Sequence, residues 1–227
     1  MLRLIVWLLL AAGPAFAADF VRAPGVAFSG ADTAAGALVW IHGTYGRDQA
    51  GPPEPPDFVS RMTADGMDLW CLNRDRNADP IPGSAEALAA GIRQLRDQGY
   101  RRIVVAGHSR GAWIGLTVLA HPGLADAVVA FSPAAHGPRE ERRAQAIRDW
   151  SELWALAGPE ARVVLVQLSG DAWDPDPAQR LTIARARMGE HLLSIFWPMA
   201  PVGHGGVYEP EFDQRFGAEI AAFVRQN

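Results

Sequence analysis

Residues 104–113 read VVAGHSRGAW, an apolar run that breaks into Gly-His-Ser-Arg-Gly. Ser109 stands at the centre of a G-x-S-x-G pattern, with a strand-like segment before it and helical spacing, Ile114, Val118 and Leu119, after it. In that context the serine occupies a tight strand-to-helix turn that lifts its hydroxyl above a sheet. Gly107 and Gly111 are then required, because side chains there would collide with neighbouring backbone. A serine hydroxyl becomes a useful nucleophile only when a base accepts its proton, an acid orients that base, and N–H donors await the oxyanion. Without such partners the turn is merely structural, so the rest of the chain has to supply them.

Six histidines are available. His42 ends the first clear apolar run. His108 lies inside the turn, its side chain expected to point away from the serine. His121 closes the following helix, His136 follows the fourth apolar run, and His191 precedes the last run, at the wrong edge of a parallel sheet. His204 lies beyond that run in PMAPVGHGGVYEP, a loop with Gly203, Gly205 and Gly206 to bend it, and is the expected base. For the acid, VVLVQLSGDAWDPDPAQR offers Asp171, Asp174 and Asp176. Asp171 leaves its strand first and is preferred, with Asp174 as the alternative; the aspartates not so used would cap the helix near Pro177. The spacing and the distal glutamate of a calcium loop are missing, so no metal is expected. The oxyanion donors expected are the backbone N–H of Arg110, next to the serine, and that of Thr44 in HGTYG. Trp113 and Trp173 flank these motifs and either line a pocket or fill the core.

Six apolar runs position these residues: Ala37–Ile41, Asp68–Leu72, Arg102–Gly107, Ala127–Phe131, Val163–Leu168 and Leu192–Trp197. They are apolar throughout rather than alternating, as strands covered on both faces are. Helical patterns separate them. Ser84 is the expected N-cap of a helix carrying Ala85, Leu88, Ile92 and Leu95 and stopped by Gly99. Arg139–Leu156 sets Ile147, Trp150, Leu153 and Trp154 on one face, and Phe216, Ile220 and Phe223 repeat near the C-terminus. The alternation predicts one domain, a three-layer α/β sandwich with a mostly parallel central sheet. Asp48–Asp57, DQAGPPEPPD, reads as a stiff surface loop.

Residues 1–17 read as a leader rather than as part of that domain, 18–227. Arg3 precedes a short apolar run, Pro14 breaks it, and Ala15-Phe16-Ala17 has the spacing of a cleavage site. The run is short for an anchor. An exported, periplasmic or extracellular protein with no stable membrane anchor after cleavage is expected. Cys71, the only cysteine, forms no disulfide within the chain and reads as a small apolar residue in a strand. Among 227 residues the net charge is −4 with both signs scattered, so no nucleic-acid partner is expected.

HGTYG, GHSRGAW, SGDAWDP and VGHGG together resemble motifs of the α/β-hydrolase superfamily, most closely its small dienelactone-hydrolase-like members. The resemblance spans nearly everything from Ala37 onward. In such proteins the acid is often followed by an aromatic two positions on and a proline two further, as in Asp171, Trp173 and Pro175. The nucleophile here is serine rather than the cysteine of true dienelactone hydrolases, so their substrate does not carry over. Ser132–Arg162 leaves room for one helix, hence minimal or no lid. The resemblance implies a secreted serine hydrolase cleaving a small or medium ester or other acyl small molecule, without a cofactor. The alternatives are an exported accessory protein on the same fold, and cofactor-free haloperoxidase or C–C hydrolase chemistry.

Overall fold

The computed structural model describes residues 18–45, 51–75, 80–174, 176–197 and 203–226. The expected leader at 1–17 lies outside them, as does part of the Asp48–Asp57 loop. Among the described residues the strands are β1 (Ala18–Arg22), β2 (Gly36–Ile41), β3 (Met67–Arg74), β4 (Ile103–His108), β5 (Ala127–Phe131), β6 (Arg162–Leu168) and β7 (Leu192–Trp197). They form one sheet in the order β1-β3-β2-β4-β5-β6-β7. β1 runs antiparallel along β3, with Ala18 opposite Arg74, and every other pairing is parallel.

The helices are α1 (Asp57–Ala64), α2 (Ile81–Asp97), α3 (Arg110–Leu116), α4 (Arg143–Leu156), α5 (Pro177–Met188), the single turn α6 (Pro210–Phe212) and α7 (Ala218–Arg225). Successive strand residues point to opposite faces. In β2, Ala37, Val39 and Ile41 pack with Leu88, Ile92, Ile114, Trp150 and Trp154 of α2, α3 and α4. Leu38 and Trp40 pack with Phe58, Met62, Phe212 and Ile220 of α1, α6 and α7. Both faces are therefore covered, which is why these strands carry no polar alternation.

Four boundaries differ from those read in the sequence. α2 begins at Ile81 with Pro80 at its cap position, so Ser84 is not the N-cap. Pro82 fits the first turn, having no N–H to leave unsatisfied and a φ already set for a helix. Ser84 consequently lies inside the first turns, donating its amide to the Pro80 carbonyl at 3.1 Å. α1 follows directly on Pro55-Pro56, so the proline-rich stretch ends as a helix start. The helix expected from Arg139 opens with a 3-10 turn at Glu140–Arg142. Near the C-terminus a π-helical stretch, Asp213–Gly217, precedes α7, and Arg61 of α1 grips Asp213 there at 2.6 and 3.0 Å.

Cys71 on β3 is half-buried, and burial pushes its thiol up to about 11, so it stays protonated. No helix among the described residues is long and apolar enough to cross a membrane.

Candidate active site

Ser109 sits between β4 and α3 with φ 56° and ψ −122°. A non-glycine residue there stores on the order of 1–3 kcal/mol, which its surroundings must offset. They do so with three backbone hydrogen bonds. The Ser109 amide donates to the Phe131 carbonyl at 2.9 Å, and the Ser109 carbonyl accepts from Trp113 and Ala134, each at 3.1 Å. The glycines make the approach feasible. A β-carbon at Gly107 would lie 2.6 Å from the Gly111 carbonyl oxygen, and one at Gly111 would overlap the carbonyl oxygens of Ile41 and His42. Gly111→Ala is thus expected to cost about 3 kcal/mol or more, read as a lowered urea midpoint.

The serine hydroxyl donates to His204 Nε2 at 2.7 Å, and His204 Nδ1 is 2.9 Å from each oxygen of Asp171. A carboxylate only accepts, so Nδ1 carries the imidazole proton and Nε2 offers its lone pair to Ser109. The Asp171 side chain is 1% exposed. Its Oδ1 also accepts the Trp173 amide at 2.8 Å, an Asx turn that fixes the carboxylate's direction. Three loops at the carboxyl ends of β4, β6 and β7 therefore converge in one chain of hydrogen bonds.

Asp174 does not reach the histidine. It is buried in an ion pair with Arg180 of α5 and accepts from Gln167 Nε2 at 3.0 Å. Arg180 also donates to the Pro133 carbonyl at 2.7 Å and lies 4.0 Å above the Trp150 ring. Nor do the neighbouring aspartates cap α5: Asp176 holds the cap position without a side-chain cap bond and pairs with Arg143 of α4. The pair joins α4 to the loop carrying Asp171.

Trp173 and Trp113 part company. Trp173 is 43% exposed and stacks on the His204 ring, centroids 5.4 Å apart and planes 26° apart. Trp113 is buried against Trp150 and His136 in the core, because α3 turns that face toward α4 and α5 rather than toward the serine. Arg110 is the first residue of α3. Thr44, at the surface, follows Gly43, where a β-carbon would stand 3.2 Å from Ser109 Cβ. The loop after β2 thus abuts the serine.

His42, His136 and His108 have other partners. His42 donates from Nδ1 to the Gly43 carbonyl at 2.7 Å and accepts the Arg74 amide at 3.3 Å, which pins the end of β2. His136 lies 2.8 Å from Asp149. His108, expected to point away from the serine, instead packs its ring 4.9 Å from that of His204 and donates from Nε2 to the His204 carbonyl at 2.8 Å. Its fixed place one residue before Ser109 was the only signal in the sequence.

Burial, with His204 close by, lowers His108 to about 4. Below pH ~6.5 an unfolded chain binds a proton there that the folded protein refuses, so stability falls by about 1.4 kcal/mol per pH unit until about pH 4. Asp171 opposes this loss, and Tyr208 lies edge-on to the ring at 5.2 Å. The urea midpoint is expected to drop between pH 7 and 5, and His108→Gln to flatten that slope while His204 and Asp171 remain in both proteins.

No family model and no curated protein matches the chain in sequence. Solved structures do. Esterase Pf2001 of Pyrococcus furiosus superposes with a TM-score of 0.63 at 13% identity, over 85% of this chain and 81% of that one. An acetyl ester-xyloside bifunctional hydrolase from Caldicellulosiruptor lactoaceticus gives 0.64 at 15%, over 93% and 88%. Pyrococcus horikoshii acylaminoacyl peptidase gives 0.66 at 12%, over 92% of this chain but 39% of that one. These neighbours are α/β-hydrolases, and the chain has the α/β-hydrolase fold. Fold alone does not carry a substrate.

Proposed function

We propose that the protein is an exported serine hydrolase that cleaves small or medium esters through an acyl-enzyme. The observation that carries this reading is the unbroken hydrogen-bond chain Ser109–His204–Asp171 beneath a strained turn. Ser109 Oγ attacks the acyl carbonyl while its proton passes to His204 Nε2. Asp171 stays ionised and stabilises the imidazolium. The backbone N–H groups of Arg110 and Thr44 bind the developing oxyanion. The imidazolium then protonates the departing alcohol. Water attacks the acyl-enzyme with His204 as base, releasing the acid and restoring the serine.

Two further observations narrow the substrate. Between β5 and β6 the regular structure is a 3-10 turn and α4, and α4 buries Trp150 and Trp154 in the core. That helix belongs to the sandwich and is not a cover, which favours a freely entering small molecule over a lid-gated lipid. The exposed indole of Trp173 beside the imidazole supplies an apolar edge for an acyl or alcohol group. Export rests on residues 1–17 alone.

A fluorophosphonate probe tests the reading, since it reacts with an activated serine and not with an accessory protein on the same fold. Labelling confined to Ser109, with turnover of p-nitrophenyl esters that declines as the acyl chain lengthens, is expected. Absence of both labelling and turnover overturns it.

A further inference from the structure

The loop that carries His204 has a glycine on each side of the histidine. Gly203 adopts φ +55°, and a β-carbon at Gly203 or Gly205 would meet nothing within 4 Å. No side chain on either neighbour of the histidine packs to restrain it. The loop's own backbone bonds are turns, Gly206 to the Gly203 carbonyl at 3.3 Å across the histidine and Tyr208 to Gly205 at 3.0 Å, and Gly203 donates outward to the Ser169 carbonyl at 3.1 Å. The tolerance for a productive Ser–His contact is a fraction of an ångström. A turn bond of 3.3 Å is a long one, so contacts from outside the loop add to the hold on the residue in the middle.

We propose that His108 is a positioning residue: by donating Nε2–H to the His204 carbonyl it fixes the backbone of the proposed base relative to Ser109. This inference rests on the reading of Ser109 and His204 given above. The geometry is economical. His108 and Ser109 are consecutive, so one short stretch of backbone sets the hydroxyl while the preceding side chain sets the imidazole. The two histidine rings also pack, 4.9 Å apart, and Trp173 covers His204 with its planes nearly parallel. His108 reaches a third loop as well. A β-carbon at Gly43 would stand 2.9 Å from His108 Nδ1, so the loop after β2 closes against this ring only because residue 43 is glycine. Serine turn, base loop and oxyanion loop thus share one buried imidazole. Because burial keeps that imidazole neutral down to about pH 4, it adds no positive charge to repel the imidazolium that His204 becomes during turnover.

Two substitutions separate the donated bond from the bulk of the ring. His108→Phe keeps a flat ring and loses the donor; His108→Gln keeps a donor at similar reach. Two readouts apply to each. One is kcat per titrated active site on p-nitrophenyl acetate, with KM. The other is the downfield proton resonance of His204 Nδ1–H bonded to Asp171, observed in 15N-labelled protein. In H108F, kcat is expected to fall about 10²-fold with KM little changed, and the resonance to be lost, while H108Q stays within about tenfold of the parent and keeps the resonance. A purely structural role would lower melting temperature and titratable sites but leave kcat per site alone. Unchanged kcat per site and an intact resonance in H108F overturn the inference. So does H108Q as impaired as H108F. Should H108F not fold, His108→Asn, whose amide is too short to reach the carbonyl, takes its place with the same expected loss. If the parent protein hydrolyses nothing and resists the probe, the hydrolase reading fails, and the resonance alone still decides whether His108 positions His204.

Discussion

Ser109→Ala is expected to lower ester hydrolysis by about 10⁴–10⁶-fold, the scale seen when the nucleophile of a triad is removed. The protein should remain folded. The strained turn is held by backbone bonds to Phe131, Trp113 and Ala134 and by close approaches at Gly107 and Gly111, none of which involves the hydroxyl. Alanine has the same β-carbon and no wider choice of φ, so the strain at residue 109 is unchanged. Turnover of p-nitrophenyl acetate and the melting curve, measured on the same preparation, check both halves. Near-parental turnover in the variant would remove Ser109 from the chemistry altogether.

Asp171→Asn and Asp174→Asn are expected to separate activity from stability. At Asp171 the amide presents a donor to His204 Nδ1 where an acceptor is required, and the favoured tautomer is reversed. In a well-studied serine protease the corresponding change costs about four orders of magnitude in turnover. A similar loss in kcat is expected here, with a small change in melting temperature, because the Trp173 amide still finds the side-chain oxygen. At Asp174 the amide leaves Arg180, 3% exposed, as a buried cation without its counter-charge. Breaking such a pair costs about 3 kcal/mol or more in stability. Turnover per folded molecule should fall far less than in Asp171→Asn, since Asp174 has no contact with the histidine. Equal kinetic losses in the two variants would contradict the assignment.

The preference for Asp171 over Asp174 was legible because chain direction limits what a strand end can reach: the first residues past β6 stay at the carboxyl edge of the sheet, where the loop after the adjacent β7 also emerges. What Asp174 does instead was not legible. Its partner Arg180 lies in AQRLTIARARM, where an arginine reads as the solvent face of a helix. Only tertiary placement under Trp150 makes it a core residue. The six parallel strands were visible as apolar runs, since both faces of the central ones are covered and edge strand β7 keeps Ile195 and Trp197 buried. β1 was not, because ADFVR is five residues with a charge at two of them, and its pairing along β3 draws on backbone rather than on pattern. α1 was hidden by Pro55 and Pro56, which read as loop although proline also starts helices. Trp113 shows the same limit in reverse: nearness to a motif in sequence says nothing of which side of α3 the indole takes.

The sheet order has a consequence for when activity can arise. Ser109, Asp171 and His204 follow β4, β6 and β7, and β7 pairs on β6 at the far edge of the sheet. The proposed base therefore enters the site only with the loop that follows β7, after the strands that carry Ser109 and Asp171. Parallel strands joined through helices pair late, because distant segments must be brought together before any contact rewards them. Recovery of esterase activity during refolding should accordingly lag behind recovery of helix signal, and its rate should report the docking of the final strand. Such a site stays silent until the whole sheet is in place.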